Sequence, residues 1–353
     1  MKEKRVYLDI HVIQTLPPSN VNRDDTGSPK TAVYGGVRRA RVSSQSWKRA
    51  MRQYFLEESA ENLGVRSLNG IGYVAERIVE ADSSVTEEKA MEMAEKIFND
   101  AGIKTKDQKT KALFFLGKKQ ADQLAVAAVR GETDKKVLKQ IFCDNPAIDI
   151  ALFGRMVADD PSLNEDASAQ VAHAISTHEV QTEFDYYTAV DELAPEDNAG
   201  AGMIGTIEYN SSTLYRYANV AMHDLVRQLG SKEQAIAAAK LFIQAFANSM
   251  PSGKSNTFAN QTLPKMIMIN IRGDRPVNLV TAYENPVISH KGNVALSIER
   301  LFDEVTKAEK YVKAPLKTLY VVEEGIAKPE WGVEEESIFS LINDFAKTAE
   351  EIL

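Results

Sequence analysis

The apolar positions change texture along the chain, and the first texture is alternation. VYLDIHVIQ (residues 6–14) puts Val6, Leu8, Ile10 and Val12 on one face, which predicts a strand. A loop of turn formers, LPPSNVNRDDTGSPK, leads through Tyr34-Gly35-Gly36 to a short extended piece, VRRARV. Ser43 or Ser44 then caps a helix expected to run to about Leu63, with Gly64 closing it. At about 100° per residue, Gln45, Lys48, Arg49 and Arg52 fall on one side of that helix. Trp47, Ala50, Met51 and Tyr54 fall on the other. The apolar side is expected to dock on a sheet and the basic side to stay available.

Residues 65–158 read as helical. Ser84 and Glu87 form a capping box ahead of a stripe at Ala90, Ala94, Ile97 and Phe98, and KTKDQKTK (104–111) adds solvated charge. From about 170 the texture turns strand-like. VAHAISTHEV is followed by GTIEYNSSTLYRYANV, which reads as a hairpin about Asn210-Ser211-Ser212. Between them DELAPEDNAGAGMIG is Gly-rich and mobile in composition. Ser231 and Gln234 cap a helix with apolar positions Ile236, Ala239, Ile243 and Phe246. A loop, PSGKSNTFANQ, precedes the β-like KMIMINI (265–271). Then come a helix around 295–312, a strand at KTLYVV and an acidic helix from about Val333. This order suits an α+β fold of ferredoxin-like or RNA-recognition-motif (RRM) type carrying large insertions.

At 353 residues and 44% hydrophobic, the chain can bury one sizeable core or two. No apolar run approaches the roughly 20 residues of a membrane span, and MKEKRVYLDI lacks a signal-peptide core. The lone Cys143 excludes an intramolecular disulfide and a cysteine-based metal cluster, which fits a reducing cytoplasm. Charge changes the picture more. Residues 23–52 hold eight Lys and Arg against Asp24 and Asp25, a net of +6, while the whole chain is −8 and the remainder therefore −14. A local basic track in a repelling surface orients a polyanion along one path.

Ser43-Ser44-Gln45-Ser46 with Lys48 brings amides, hydroxyls and cations to one helix N-terminus, a place that favours phosphate. Lys48 and Arg52, one turn apart, could hold the next phosphates. The plainer alternative is an ordinary capped helix with a solvated basic face. Arg39 and Arg41 share a strand face with Ser43, while Arg38 points away with Ala40 and Val42; the strip is either a nucleic-acid contact or a charge-protected sheet edge. Gly35-Gly36 permits close approach of a backbone or ligand, or is a turn. Asp24 and Asp25 could hold a divalent metal for phosphodiester cleavage, or pair with Arg23 and cap a turn. The five histidines form no ligand pattern, and no nucleotide-binding glycine loop, nucleophile elbow or Cys/His cluster occurs. Met156, Tyr186 and Tyr187 could stack on unpaired bases, though such residues are more often core.

Several long segments together resemble one family. DIHVIQTLPPSNVNRDD and YGGVRRARVSSQSWKRAMR, then FGRM with AHAISTHEVQTEFDYYTAVDEL, then SSTLYRYANV are similar to CasC, the repeating backbone subunit of the type I-E CRISPR Cascade complex. The likeness is tightest at 9–52 and 171–220 and weak in the helical insertion and the C-terminal third. It implies an α+β protomer with a modified RRM/ferredoxin-like palm (1–62 and 206–353), a helical fingers insertion (63–165) and an extended β-hairpin thumb (170–205). Copies would polymerise head-to-tail along one CRISPR RNA guide, kink it at regular intervals and present it for pairing with target DNA. The large, small and two end-capping Cascade subunits would be further partners, with neither membrane nor cofactor.

Carried over by motif, Arg23, Arg39, Arg41, Ser43, Gln45, Lys48, Arg52 and Lys254 would contact the guide. Met156, Tyr187 and Ile204 would form the wedge at the kink. Tandem tyrosines stand where the family pattern often has Trp-Phe, so the wedge is less apolar here. The competing expectation is a metal-dependent endoribonuclease using Asp24 or Asp25.

Overall fold

In the computed structural model, which describes residues 4–58, 62–189, 192 and 203–353, the chain opens with strands β1 (Tyr7–Ser19), β2 (Thr31–Tyr34) and β3 (Val37–Val42). Helix α1 (Ser44–Glu57) follows. A helical lobe comes next. It contains β4 (Gly64–Ser67), α2 (Gly70–Ala81), α3 (Glu87–Ala101), the short strands β5 (Thr105–Lys106) and β6 (Lys109–Thr110), and β7 (Phe114–Gly117). It ends with α4 (Lys118–Val129) and α5 (Lys135–Cys143), and α6 (Ile148–Phe153) leads back, its Ala151 and Leu152 packing in the core of the sheet. Strands β8 (Ala169–Val171), β9 (Ala174–Ser176), β10 (Glu183–Ala189) and the long β11 (Met203–Ala221) return to the sheet. The last third carries α7 (Met222–Leu229), α8 (Lys232–Asn248), α9 (Ser255–Phe258), β12 (Pro264–Arg272), α10 (Val294–Ala308), β13 (Lys317–Val322), β14 (Val333–Glu334) and α11 (Ile338–Ile352).

The result is an α+β fold about one large mixed sheet, ordered β14-β13-β12-β1-β11-β9-β3-β2 among the described residues. β1 is central, antiparallel to β11 and to β12. Its alternation is real, but both of its faces are covered. Leu8, Ile10 and Val12 pack with Trp47, Met51 and Phe55 of α1 and with residues of α8 and α11. Each such buried side chain contributes roughly 1.5–3 kcal/mol. On the other face Ile13, Met266 and Met268 pack under Ile298, Leu301 and Phe302 of α10. The polar positions Asp9 and His11 therefore lie buried beneath that second layer. They are satisfied there: Tyr217 donates to Asp9 Oδ1 at 2.8 Å, and His11 Nδ1 lies 2.9 Å from the Tyr215 hydroxyl. The helical lobe has a core of its own, with Ile71, Ile97, Leu124 and an edge-to-face trio of Phe98, Phe114 and Phe142.

Several local expectations need correction. Asn210-Ser211-Ser212 is no turn. β11 continues through it without a turn, with Ser212 opposite Leu16 and, after a register shift on the β1 side, Asn210 opposite Ser19, because a partner strand supplies ladder bonds that outweigh the turn preference of small polar residues. The hairpin partner of β11 is instead β10. The Gly-rich segment of 191–205 lies largely outside the described residues. α1 ends at Glu57, short of Leu63, and Gly64 begins β4. Thr86, not Ser84, caps α3, since the Ser84 hydroxyl donates to Asp82. Val333 belongs to β14, and α11 starts later behind Ser337. Ser231 caps α8 through Gln234 as the sequence indicates.

Candidate nucleic-acid interface

The basic helix α1 is fastened to the sheet by its apolar side. Trp47, Met51 and Phe55 have no exposed surface, and the Arg216 guanidinium of β11 sits 3.6 Å from the Trp47 ring centroid. Arg216 also donates to Gln14 Oε1 and to the Phe246 carbonyl. Burial lowers it to about 9, so it stays charged at neutral pH. At the helix start the Ser43 hydroxyl accepts from the Ser46 amide, while the Ser43 amide donates to Asn22 at 2.8 Å. Ser43 is thus buried and engaged as a cap. The exposed polar group beside it is Gln45.

Two open grooves flank α1. One, of about 950 Å³, lies between α1, the Arg23–Gly27 turn and the Asn248–Lys254 segment. The other, of about 930 Å³, lies between α1, Arg66 of β4 and the 153–156 and 164–167 segments. Arg49 lines both. Among the described residues Arg23, Lys48, Arg49, Arg66 and Lys254 have no carboxylate partner, although cations elsewhere in the chain often do. The Lys48 ammonium lies 5.5 Å from the Phe153 ring centroid, and partial burial lowers its pKa. A desolvated, unpaired cation at a groove wall gains most from an incoming anion.

The remaining basic candidates divide. Arg39 is not available to a ligand. It is fully buried, and its guanidinium donates to the carbonyls of Tyr34, Ser176, Tyr283 and Glu284. Its face of β3 is covered by the 283–284 segment, so strand alternation could not separate it from Arg41. Arg41 is half-buried, donates to the Thr31 carbonyl at 3.1 Å and reaches His173. Gly35 and Gly36 form the β2–β3 turn with φ of 60° and 81°. A Cβ at Gly35 would lie 1.6 Å from the Glu284 carbonyl oxygen, so the turn is also a close backbone approach. Arg52 lines the second groove, but it already donates to Asp149 Oδ2 at 2.9 Å and the Gly64 carbonyl at 3.1 Å, over the Phe115 ring. Lys254 precedes α9 in a left-handed conformation, φ 51°.

Asp24 is absorbed by its own turn. Its Oδ1 accepts from the Thr26 hydroxyl and from the Thr26 and Ser28 amides, which holds its pKa below the usual range. Among the described residues no group of three or more His, Cys, Asp or Glu side chains is arranged to hold a metal ion.

Met156 is 83% exposed at the second groove. Beneath it Arg155 is buried, donating to the carbonyls of Leu163, Phe115 and Phe142. In the β10–β11 ribbon Tyr187 faces Gly205, and a Cβ there would come within 2.3 Å of the tyrosine ring. Ile204 faces Thr188, hence the opposite side of the ribbon. Tyr187 and Ile204 do not converge. Ile204 shares its side with Phe184 and Tyr186, all three more than 60% exposed. The sequence reading missed Arg49 as a site residue although its helix position displayed it. Arg66, an isolated arginine on a short strand, gave no signal.

A model of the CT1975-like protein family matches residues 8–344. A solved structure described as a CRISPR RNA-guided surveillance complex, pre-nicking, contains a chain 31% identical, with a TM-score of 0.84 over 97% of this chain and 100% of that one. A second, described as a CRISPR RNA-guided surveillance complex, contains a chain 28% identical, with a TM-score of 0.74 over 97% and 99%. No curated protein matches the chain.

Proposed function

Since this chain belongs to the CT1975-like protein family, we propose that it is a non-catalytic scaffold that assembles head-to-tail along CRISPR RNA and holds that guide for pairing with target DNA. One observation carries the reading: in a chain of net charge −8, uncompensated cations line both grooves beside a helix docked by its other side. The guide is supported by the similarity to chains of solved structures described as CRISPR RNA-guided surveillance complexes.

In this reading Arg23, Arg41, Gln45, Lys48, Arg49 and Lys254 hold sugar and phosphate. Such groups fix position without reading base edges, which a guide must keep free for its target. Arg52 acts through its ion pair with Asp149, setting α1 against α6 and β4. Met156 and the exposed side of the β10–β11 ribbon wedge the guide at each kink. The palm (1–62 and 206–353) is of RRM type, a proposal supported by the antiparallel neighbours β12, β1 and β11 with helices packed on them. Fingers (63–165) and thumb (170–205) complete the protomer. The engagement of Asp24 in its turn supports a scaffold over a nuclease.

The test is titration of several single-stranded RNAs of different sequence onto the protein and onto Lys48→Ala and Arg49→Ala variants. Each loss should weaken binding about tenfold, the worth of one charged hydrogen bond, for every sequence alike. The salt slope should fall by about 0.7 per contact. Loss confined to one sequence would contradict backbone binding.

A further inference from the structure

The segment KTKDQKTK, which reads in sequence as solvated charge, is folded. β5 and β6 form a two-residue hairpin with Thr105 opposite Thr110 and Lys106 opposite Lys109. Asp107 and Gln108 make the turn with φ of 52° and 56°, the left-handed pair such hairpins need, here without glycine. One side is anchored. Thr110 is buried and its hydroxyl donates to the Leu68 and Ala112 carbonyls, while Thr105 donates to Glu95 at 2.8 Å. Alternation sends Lys106 and Lys109 to the opposite side. Lys104 and Lys111, two residues further along each arm, are exposed with them.

Like charges placed directly opposite across a ladder destabilise it. Among the described residues none of these four lysines has a carboxylate partner, and the one acid on the hairpin is Asp107 at the turn. A hairpin held rigid from behind, with four uncompensated ammonium groups in front, is arranged for a polyanion. Its position says which polyanion. The Thr110 amide donates to the carbonyl of Leu68 at 3.0 Å, and two residues before Leu68 stands Arg66, an unpaired wall residue of the second groove beside α1. The hairpin is therefore fastened, by its anchored side, next to the strand that carries a wall residue of that groove.

We propose that the β5–β6 hairpin is a second, sequence-independent contact for the phosphate backbone of nucleic acid outside the guide grooves, specifically a DNA duplex. Lysines suit this role, being point charges without the fork that fixes register. The proposal rests on the scaffold reading only for what fills the grooves.

The test compares guide-loaded protein with a Lys104→Gln/Lys106→Gln/Lys109→Gln/Lys111→Gln variant and its all-arginine counterpart, titrated with DNA duplex unrelated to the guide at several salt concentrations. We expect unchanged guide content per protomer. The glutamine variant should lose duplex affinity, with a salt slope shallower by up to about 3.6, or about 0.9 per phosphate contact. The arginine variant should bind as the wild type does. Unchanged duplex affinity and slope would overturn the proposal. So would a smaller particle with unchanged duplex binding, which would assign the hairpin to an acidic face of a neighbouring copy. If the wild type takes up no guide, the scaffold reading fails; the same titration on the free chain then decides the hairpin.

Discussion

Arg52 on α1 and Asp149 on α6 form an ion pair at 2.9 Å, and the same carboxylate accepts the Gly64 amide at 2.9 Å. Burial raises the Asp149 pKa even though Arg52 opposes it, so this carboxylate depends on its partner. Arg52→Ala leaves a buried acid unpaired and should cost about 2–4 kcal/mol. Asp149→Asn should cost less, and should free Arg52. If Arg52 were chiefly a guide contact, Asp149→Asn would strengthen RNA binding; if it is chiefly a clamp, affinity falls as α1 loses its setting against α6 and β4. We expect the fall, measured beside thermal unfolding.

Arg39 gives the opposite prediction from the one its sequence neighbourhood suggests. Its guanidinium serves four carbonyls, so Arg39→Ala should cost about 3 kcal/mol or more of stability. The remaining folded protein should bind RNA with near wild-type affinity. Arg39→Lys should not rescue stability, because one ammonium cannot reproduce the planar fork. Denaturant unfolding with parallel RNA titration checks both.

The buried pair Asp9 and His11 sets up a pH experiment. Burial raises Asp9 to about 7, against hydrogen bonds from Val277 and Tyr217, and lowers His11 to about 3. Between about pH 4 and 6.5 the folded chain holds a proton on Asp9 that the unfolded chain has released, so this group's stabilisation shrinks as pH rises. Over the same window the unfolded chain binds a proton on His11 that the folded chain excludes, so the His11 contribution grows as pH rises. The two oppose each other. Relative to wild type, Asp9→Asn should lose stability on acidification through this window, and His11→Gln should gain it. Melting temperatures of both variants from pH 4 to 7 test the signs; parallel curves would contradict the assignment.

The ribbon geometry predicts which of the proposed wedge residues act together. Tyr186 and Ile204 are diagonal neighbours on one side, and Tyr187 lies on the other over Gly205. In a double-mutant cycle reading guide distortion from a fluorescent base analogue, Tyr186→Ala and Ile204→Ala should couple. Tyr187→Ala and Ile204→Ala should be additive within about 0.5 kcal/mol.

For the carboxylates, guide-loaded protein incubated with complementary RNA and Mg²⁺ or Mn²⁺ should leave the RNA intact. Cleavage at regular spacing, lost in Asp24→Ala or Asp25→Ala, would replace the scaffold by an endoribonuclease.

Much of this was legible where a single local signal decides. The faces of α1 follow from helical spacing, and Ser231 behaves as the cap its neighbourhood indicates. What was not legible depended on partners far away in sequence. Asn210-Ser211-Ser212 has turn chemistry but is claimed by β1, and Arg39 looks like its neighbour Arg41 until the 283–284 segment covers it. Arg52 shows its basic face in the helix, while Asp149, which occupies it, stands in another helix 97 residues further along the chain. The KTKDQKTK hairpin lacks the glycine that ordinarily announces such a turn, so only its charge was visible.

The most direct test of the central claim is particle mass as a function of guide length, with the chain co-expressed with CRISPR RNAs of increasing length. The account predicts that mass rises in equal steps, each one added protomer, and that a Lys48→Ala/Arg49→Ala double variant recovers far less RNA. A particle of constant mass, or a monomer indifferent to RNA, would contradict it.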